Sequence, residues 1–277
     1  MAKNSGLKFT KMSGNGNDFI LIDNYDGSVK LSAKQIEALC SPKFSIGADG
    51  LLMLEKAAKG YDFYMKFYNN DGKEGEMCGN GGRCIARFAY INGRAKAKMS
   101  FMAKDGAHEA EIKKNNDVKL KMINPFDYRR EVKIRLSGSE VKGSFINTGV
   151  PHFVIEVKDL ANVRVKHIGK EIRFHTSFAP KGTNVNFIEK KGDDVFDIRT
   201  YERGVEDETF ACGTGATAAG IALYLNGKAK PPVSFNTRGG LLKVYFKEEN
   251  KNITDVHLEG NARVVASGVV GEDAFKF

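Results

Sequence analysis

Apolar and polar residues alternate in short runs along most of the chain. "NDFILID" (17–23), "YDFYMKFYN" (61–69), "KLKMIN" (119–124), "PHFVIEV" (151–157), "VFDIRTYER" (195–203), "LLKVYF" (241–246) and "ITDVHLEG" (253–260) are short, alternating or β-rich, and predict strands. Helical spacing is confined to three places. "SAKQIEALC" (32–40) predicts a helix with Ser32 as its N-cap. The other two helices follow Gly-rich turns and are apolar on most sides: Ile85, Ala86, Phe88, Ala89, Tyr90 and Ile91 in one, Ala216 to Leu225 in the other. A helix without a polar face has nowhere to lie except inside a core.

Those two helices belong to a repeat. "MCGNGGRCIARFAYING" (77–93) and "ACGTGATAAGIALYLNG" (211–227) share Cys-Gly-polar-Gly, a helical stretch and a closing Asn-Gly, with Cys78 and Cys212 134 positions apart. Phe19 and Phe153 keep the same offset, and Gly47 and Gly182 differ from it by one. Three landmarks in one order at nearly one spacing imply a duplication into two similar domains, since solenoid periods are much shorter. The expected fold class is α+β: two pseudo-symmetric halves, each a curled, mostly antiparallel sheet around a central helix. The expected halves are 1–125 and 126–261, with Pro125 breaking the pattern between them.

Composition narrows the function. The chain has 277 residues, room for one large domain or two ordinary ones, and no run of apolar residues long enough to span a bilayer. "MAKNSGLKFTKMSGNG" has no apolar signal core, so a cytoplasmic protein is expected. The net charge of +9 is spread along the chain. It accompanies no helix-turn-helix, zinc-finger or RNA-binding pattern, so neither nucleic acid nor membrane is expected as a partner. A solvated basic surface accounts for the charge, and a field attracting an anionic small molecule is the sharper alternative. Four cysteines do not form a disulfide framework, there is no C-x2-C pair, and the five histidines show no ligand spacing, so no metal is expected.

The chemistry lies at the two cysteines. A helix N-terminus carries unpaired N–H groups and about half a positive charge. A thiol placed there ionises more readily, and the glycines behind it leave backbone donors open to a carboxylate. Either motif alone is a reactive cysteine at an anion-binding turn. Two of them, related by a repeat, suit removal of a proton from one face of a carbon and its return to the other, the work of a two-base racemase or epimerase. A cysteine protease or acyl transferase would use one thiol with His152 and leave the second motif idle. Cys40 and Cys84 are expected as small core residues.

"KMSGNGNDFILID" (11–23), "SIGADGLLML" (45–54), "FYNNDGKEGEMCGNGGRC" (67–84), "GVPHFVI" (149–155), "GTNVNF" (182–187) and "YERGVEDETFACGTGA" (201–216) together resemble the diaminopimelate epimerase family over essentially the whole chain. The resemblance implies an active site in the cleft between two halves, and interconversion of LL- and meso-2,6-diaminopimelate without pyridoxal phosphate or any other cofactor. It implies that the last strand, about 262–277, returns to the first half, and it brings a homodimer into view. It makes Cys78 and Cys212 the acid/base pair and gives Gly79, Asn80, Gly213 and Thr214 backbone donors for the reacting carboxylate. Asn17, Asn69, Asn184, Glu202 and Arg203 would hold the substrate, chiefly its distal end, and His152 would support the thiols.

Plainer roles stay open for some of these: turn residues for Asn17 and Asn69, an exposed ion pair for Glu202 and Arg203, a structural strand start for His152. The chain departs from the family pattern at Val150, where Asn is usual, which removes one polar contact to the distal end. A racemase of another amino acid such as histidine, or a non-catalytic ligand-binding relative, would share these features.

Overall fold

The computed structural model describes residues 6–276. Its elements run, in order, β1 (Lys8–Gly14), β2 (Asn17–Asn24), α1 (Ala33–Cys40), β3 (Gly50–Glu55), β4 (Phe63–Asn69), α2 (Gly79–Ile91), β5 (Lys98–Ala103), β6 (Gly106–Ile112) and β7 (Val118–Lys121). There follow β8 (Phe126–Arg135), β9 (Glu140–Asn147), β10 (Pro151–Glu156), α3 (Val165–Arg173), β11 (Asn184–Gly192), β12 (Val195–Glu202), β13 (Asp207–Thr209) and α4 (Gly213–Leu225). The chain closes with β14 (Val233–Thr237), β15 (Gly240–Glu249), β16 (Asn252–Gly260) and β17 (Arg263–Val269). It divides into two compact units: one runs to Leu120 and takes in the chain from Asn261 onward, and the other spans Lys121–Gly260.

In the first unit β1 and β2 form a hairpin across Asn15 and Gly16, whose φ values of 51° and 88° are those of a two-residue turn with both central residues left-handed. β17 lies antiparallel on the other side of β1. β2 pairs in parallel with β3, β3 antiparallel with β4, and β4 in parallel with β5. Such a mixed sheet needs crossovers, and α1 and α2 supply them. Ser32 caps α1 in a capping box with Gln35, each side chain bonding the other residue's backbone N–H. Ile36 and Leu39 of α1 pack with Ile20, Leu51 and Met53.

The second unit repeats this plan, with the short β13 added beside β12. β10 pairs in parallel with β11, β11 antiparallel with β12, and β12 in parallel with β14. The registers repeat as well. Phe63 lies opposite Phe101 in one unit and Phe196 opposite Phe235 in the other, and both pairs put their rings in contact, with centroids 4.9 and 5.9 Å apart. The offset first seen in the two cysteine motifs therefore extends through the sheets.

α4 is buried from Gly213 to Leu223 apart from Thr214, and packs into a core with Phe196, Phe235, Val244 and Leu258. α2 departs from the expected all-round burial. Its apolar run outlasts the core, leaving Tyr90 and Ile91 44% and 54% exposed, while the charged Arg83 is wholly buried near its start. Cys40 and Cys84 are core residues, and burial pushes both thiols up to about 12. All four cysteines are free. No helix among the described residues is long and apolar enough to cross a membrane.

Candidate active site

Cys78 is the N-cap of α2. Its backbone is extended (φ −103°, ψ 145°), and its sulfur accepts the Gly81 N–H at 3.2 Å, so the thiol fills the role of a capping hydroxyl. The sulfur thus sits among the unpaired N–H groups of the first turn. Asn80, two residues on, bridges the helix to the sheet: its Nδ2 donates to Asn17 Oδ1 at 3.4 Å, and Asn17 donates to Asp49 at 2.6 Å. Gly14 lets β1 approach this turn, since a Cβ there would stand 2.9 Å from the Asn80 carbonyl oxygen. Asn69 ends β4, and its side chain donates to the Lys73 carbonyl at 3.4 Å. The register that sets Phe19 beside Gly50 and Gly50 beside Asn69 brings it to the same end of the sheet as Asn17.

Cys212 is the N-cap of α4, with φ −118° and ψ 111°. It is 8% exposed, and its sulfur lies 3.4 Å from the Thr214 hydroxyl. Burial, and after it the Glu202 carboxylate, pushes this thiol up to about 12, against the pull of the Thr214 hydroxyl and the backbone amides of Gly215 and Thr214. The sulfur is therefore protonated at neutral pH and suited to donate. Glu202 is itself held above the usual carboxylate range by burial. Thr148 Oγ1 donates to the Thr214 carbonyl at 3.1 Å, fixing the turn from β9's side.

His152 is fully buried on β10. Thr200 donates to Asn186 Oδ1 at 3.0 Å, which turns Asn186 Nδ2 toward His152 Nδ1 at 3.1 Å. Nδ1 must therefore accept, and the proton of the neutral ring sits on Nε2. Burial, and then the Arg203 charge, pushes the imidazole down to about 3. Nε2 has no partner among the described residues, so a buried donor is left available. Beside it on β11, Asn184 has both ends of its amide in use, giving a hydrogen bond to the Pro151 carbonyl at 2.9 Å and accepting the Arg203 N–H at 2.8 Å.

Within each unit the expected residues gather. Asn17, Asn69, Cys78, Gly79 and Asn80 share one end of the first unit's sheet, and His152, Asn184, Glu202, Arg203, Cys212, Gly213 and Thr214 share one end of the second's. Glu202 and Arg203 are half-buried and form no ion pair with each other, unlike the exposed pair that was one option for them. Asn184 braces two strands, more than a residue with a free amide would. Sequence reading passed over Asn15, Arg83 and Asn186. The Asn15-Gly16 dipeptide was a hairpin signal, and a charged residue in the first turns of a mostly apolar helix was the signal for Arg83. No group of three or more His, Cys, Asp or Glu side chains that could hold a metal occurs among the described residues.

A family model described as diaminopimelate epimerase matches residues 9–125 and 144–265. The chain is 41% identical to the diaminopimelate epimerase of Aquifex aeolicus over 282 residues, covering 98% of this chain and all of that one. It is 42% identical to the enzyme of the same name from Flavobacterium psychrophilum, covering 94% and 98%. Among solved structures, a phenazine biosynthesis protein of the PhzF family from Bacillus anthracis superposes with a TM-score of 0.74 at 14% identity, covering 95% of this chain and 98% of that one. A hydroxyproline epimerase from Agrobacterium vitis with bound trans-4-hydroxy-L-proline gives 0.69 at 16%, covering 99% and 94%. At such identities these structures speak for the shared fold.

Proposed function

The chain belongs to the diaminopimelate epimerase family, and on that premise we propose that it interconverts LL- and meso-2,6-diaminopimelate by proton transfer between Cys78, Cys212 and one α-carbon. The observation that carries this reading is the pair of cysteines at matching N-caps of two 13-residue helices in two units of one plan.

In this reading one sulfur, as thiolate, takes the α-proton while the other, as thiol, delivers its own to the opposite face. The centre inverts and the two sulfurs exchange protonation states. Each sulfur is then in the state the reverse reaction needs, and exchange of protons with solvent, with no cofactor, restores the starting state. Negative charge developing toward the substrate carboxylate is met by the first-turn amides of α2 and α4, donors already aimed and needing no reorganisation. Gly79, Asn80, Gly213 and Thr214 supply them. The neutral His152, with Nε2–H free to donate, and the half-buried Glu202 suit the substrate's polar groups near Cys212. Arg203 suits a distal carboxylate, which a guanidinium can grip through two parallel bonds, and Asn17, Asn69 and Asn184 complete the set. The same reading takes the enzyme to work on a small amino acid, in the cytoplasm, as a homodimer.

The test is direct. Purified protein, with no cofactor added, is incubated with LL-diaminopimelate, and the isomers are separated by chromatography. Meso product growing to an equilibrium mixture is the expected result. Recovery of the LL isomer alone, from protein shown to be folded and reduced, would contradict it.

A further inference from the structure

Among the described residues, Arg83 is the largest side chain with no solvent exposure. It stands five residues after Cys78, in the first turns of α2, and folds back toward the helix start. Its Nη1 donates to the Gly79 carbonyl at 3.2 Å and its Nη2 to Asn80 Oδ1 at 2.8 Å and Asn15 Oδ1 at 2.9 Å, while Nε reaches the Asn261 carbonyl at 3.3 Å. All four acceptors are neutral. Among the described residues no carboxylate pairs with it, and Asp117 acts on it only from outside ion-pair range. A buried charge without a partner is strongly unfavourable, and so is a cation at the positive end of a helix. A guanidinium does not escape by losing its proton. An anion at the start of α2 would remove both penalties.

The second unit has nothing similar. The repeat puts Thr217 where Arg83 stands, and its hydroxyl donates to the Gly213 carbonyl at 2.9 Å, doing the hydrogen-bonding part of the task without the charge. Cys212 faces a carboxylate, Glu202.

We propose that Arg83 is a positioning residue for the reaction: its buried guanidinium is the fixed counter-charge of a Cys78 thiolate, which makes Cys78 the base and Cys212 the acid of the substrate-free protein. The roles of base and acid rest on the two-thiol reading, whereas the charge pairing rests on a buried guanidinium held against the first turn of α2, at Gly79 and Asn80. Three acidic groups near this turn have partners of their own. Asp18 is held in an ion pair with Lys11 at 2.9 Å, Asp49 accepts from Asn17, and Asp105 accepts the Met77 N–H and faces His108. Cys84, next to Arg83, is kept a neutral thiol by its burial, and Arg87 on the next turn donates to the Ala262 carbonyl.

The test is alkylation of the intact protein by iodoacetamide from pH 5 to 10, without substrate, with each cysteine followed by peptide mass spectrometry. Midpoints are compared, because absolute rates also reflect the burial of Cys212. The Cys78 midpoint is expected at least about one pH unit below that of Cys212, and Arg83→Gln, which keeps donors but loses the charge, is expected to raise it by about one to three units. Arg83→Lys is expected to restore most of the difference. An unchanged Cys78 midpoint in Arg83→Gln overturns the proposal, as does a lysine variant that rises as far as the glutamine one, since a structural brace alone would give that. If Arg83→Gln does not fold by circular dichroism, the unsubstituted protein still decides: Cys212 titrating at or below Cys78 overturns the proposal. A protein with the expected midpoints but no epimerase activity would refute the two-thiol reading and leave the charge pairing standing.

Discussion

Cys212→Ala is expected to lower kcat for the epimerisation of LL-diaminopimelate by about a thousandfold or more, and Cys78→Ala to do the same, with ligand binding kept. Two equal losses follow from the division of labour. A base without its opposed acid can take a proton but cannot return one to the other face, and an acid without its base has no carbanion to protonate. Neither substitution removes a carboxylate grip or a helix amide, so a substrate analogue should still bind, by calorimetry, within about a few-fold of the unsubstituted protein. Near-normal turnover in either variant would contradict the assignment. So would a large loss in one and a small loss in the other, because that is the signature of a single catalytic thiol.

The second large effect concerns a glycine. A Cβ on Gly215 would stand 2.3 Å from Asn186 Oδ1. That oxygen accepts the Thr200 hydroxyl, and the nitrogen of the same amide fixes the His152 ring. Gly215→Ala therefore forces one of two changes. Either Asn186 turns away, leaving buried polar groups without partners, or the first turn of α4 shifts and takes Cys212 with it. Both are costly, and the expected loss of stability is about 3 kcal/mol by urea unfolding, with a fall in kcat beyond what any unfolded fraction explains. Gly220→Ala on the same helix serves as the comparison. Its Cβ would meet Val244 at 3.3 Å, and the better helix propensity of alanine offsets that crowding, so a change within about 1 kcal/mol is expected. Equal effects at the two positions would show that the Asn186 contact carries no special weight.

Much of this architecture was legible in the chain, for reasons particular to it. Strands buried on one face alternate clearly, and the strands at 17–24, 151–156, 195–202 and 252–260 emerge nearly as read. The two helices apolar on most sides announced themselves as packed inside, although the end of α2 is exposed. α3 escaped notice because Gly169 interrupts a short, charged stretch. The structure explains that residue: a Cβ at 169 would lie 2.4 Å from Tyr201 Cβ, so glycine is what lets the helix settle on β12. β8 and β9 were hidden by exposed charges and by two register shifts that break the alternation. β17 is mostly exposed and carries no burial pattern to read.

The site divided in the same way. Cys78 and Cys212 were visible because they repeat. Arg83 was not, because its counterpart in the repeat is Thr217 and because an arginine within a helix is ordinarily solvated. Asn186 was hidden because its importance lies in what it touches, namely His152, Thr200 and the space that Gly215 leaves open.

The most direct measurement of the central claim is the fate of the α-proton. LL-diaminopimelate is turned over in D2O and stopped at low conversion, and deuterium is located by mass spectrometry in both the meso product and the remaining LL isomer. With two bases, the proton taken by one thiolate leaves to solvent while the opposite thiol supplies deuterium. The product is therefore expected to carry one deuterium at the inverted centre, and the recovered substrate almost none. Product that keeps the original proton, or label appearing equally in both isomers, would point to a single base serving both faces and would contradict the account.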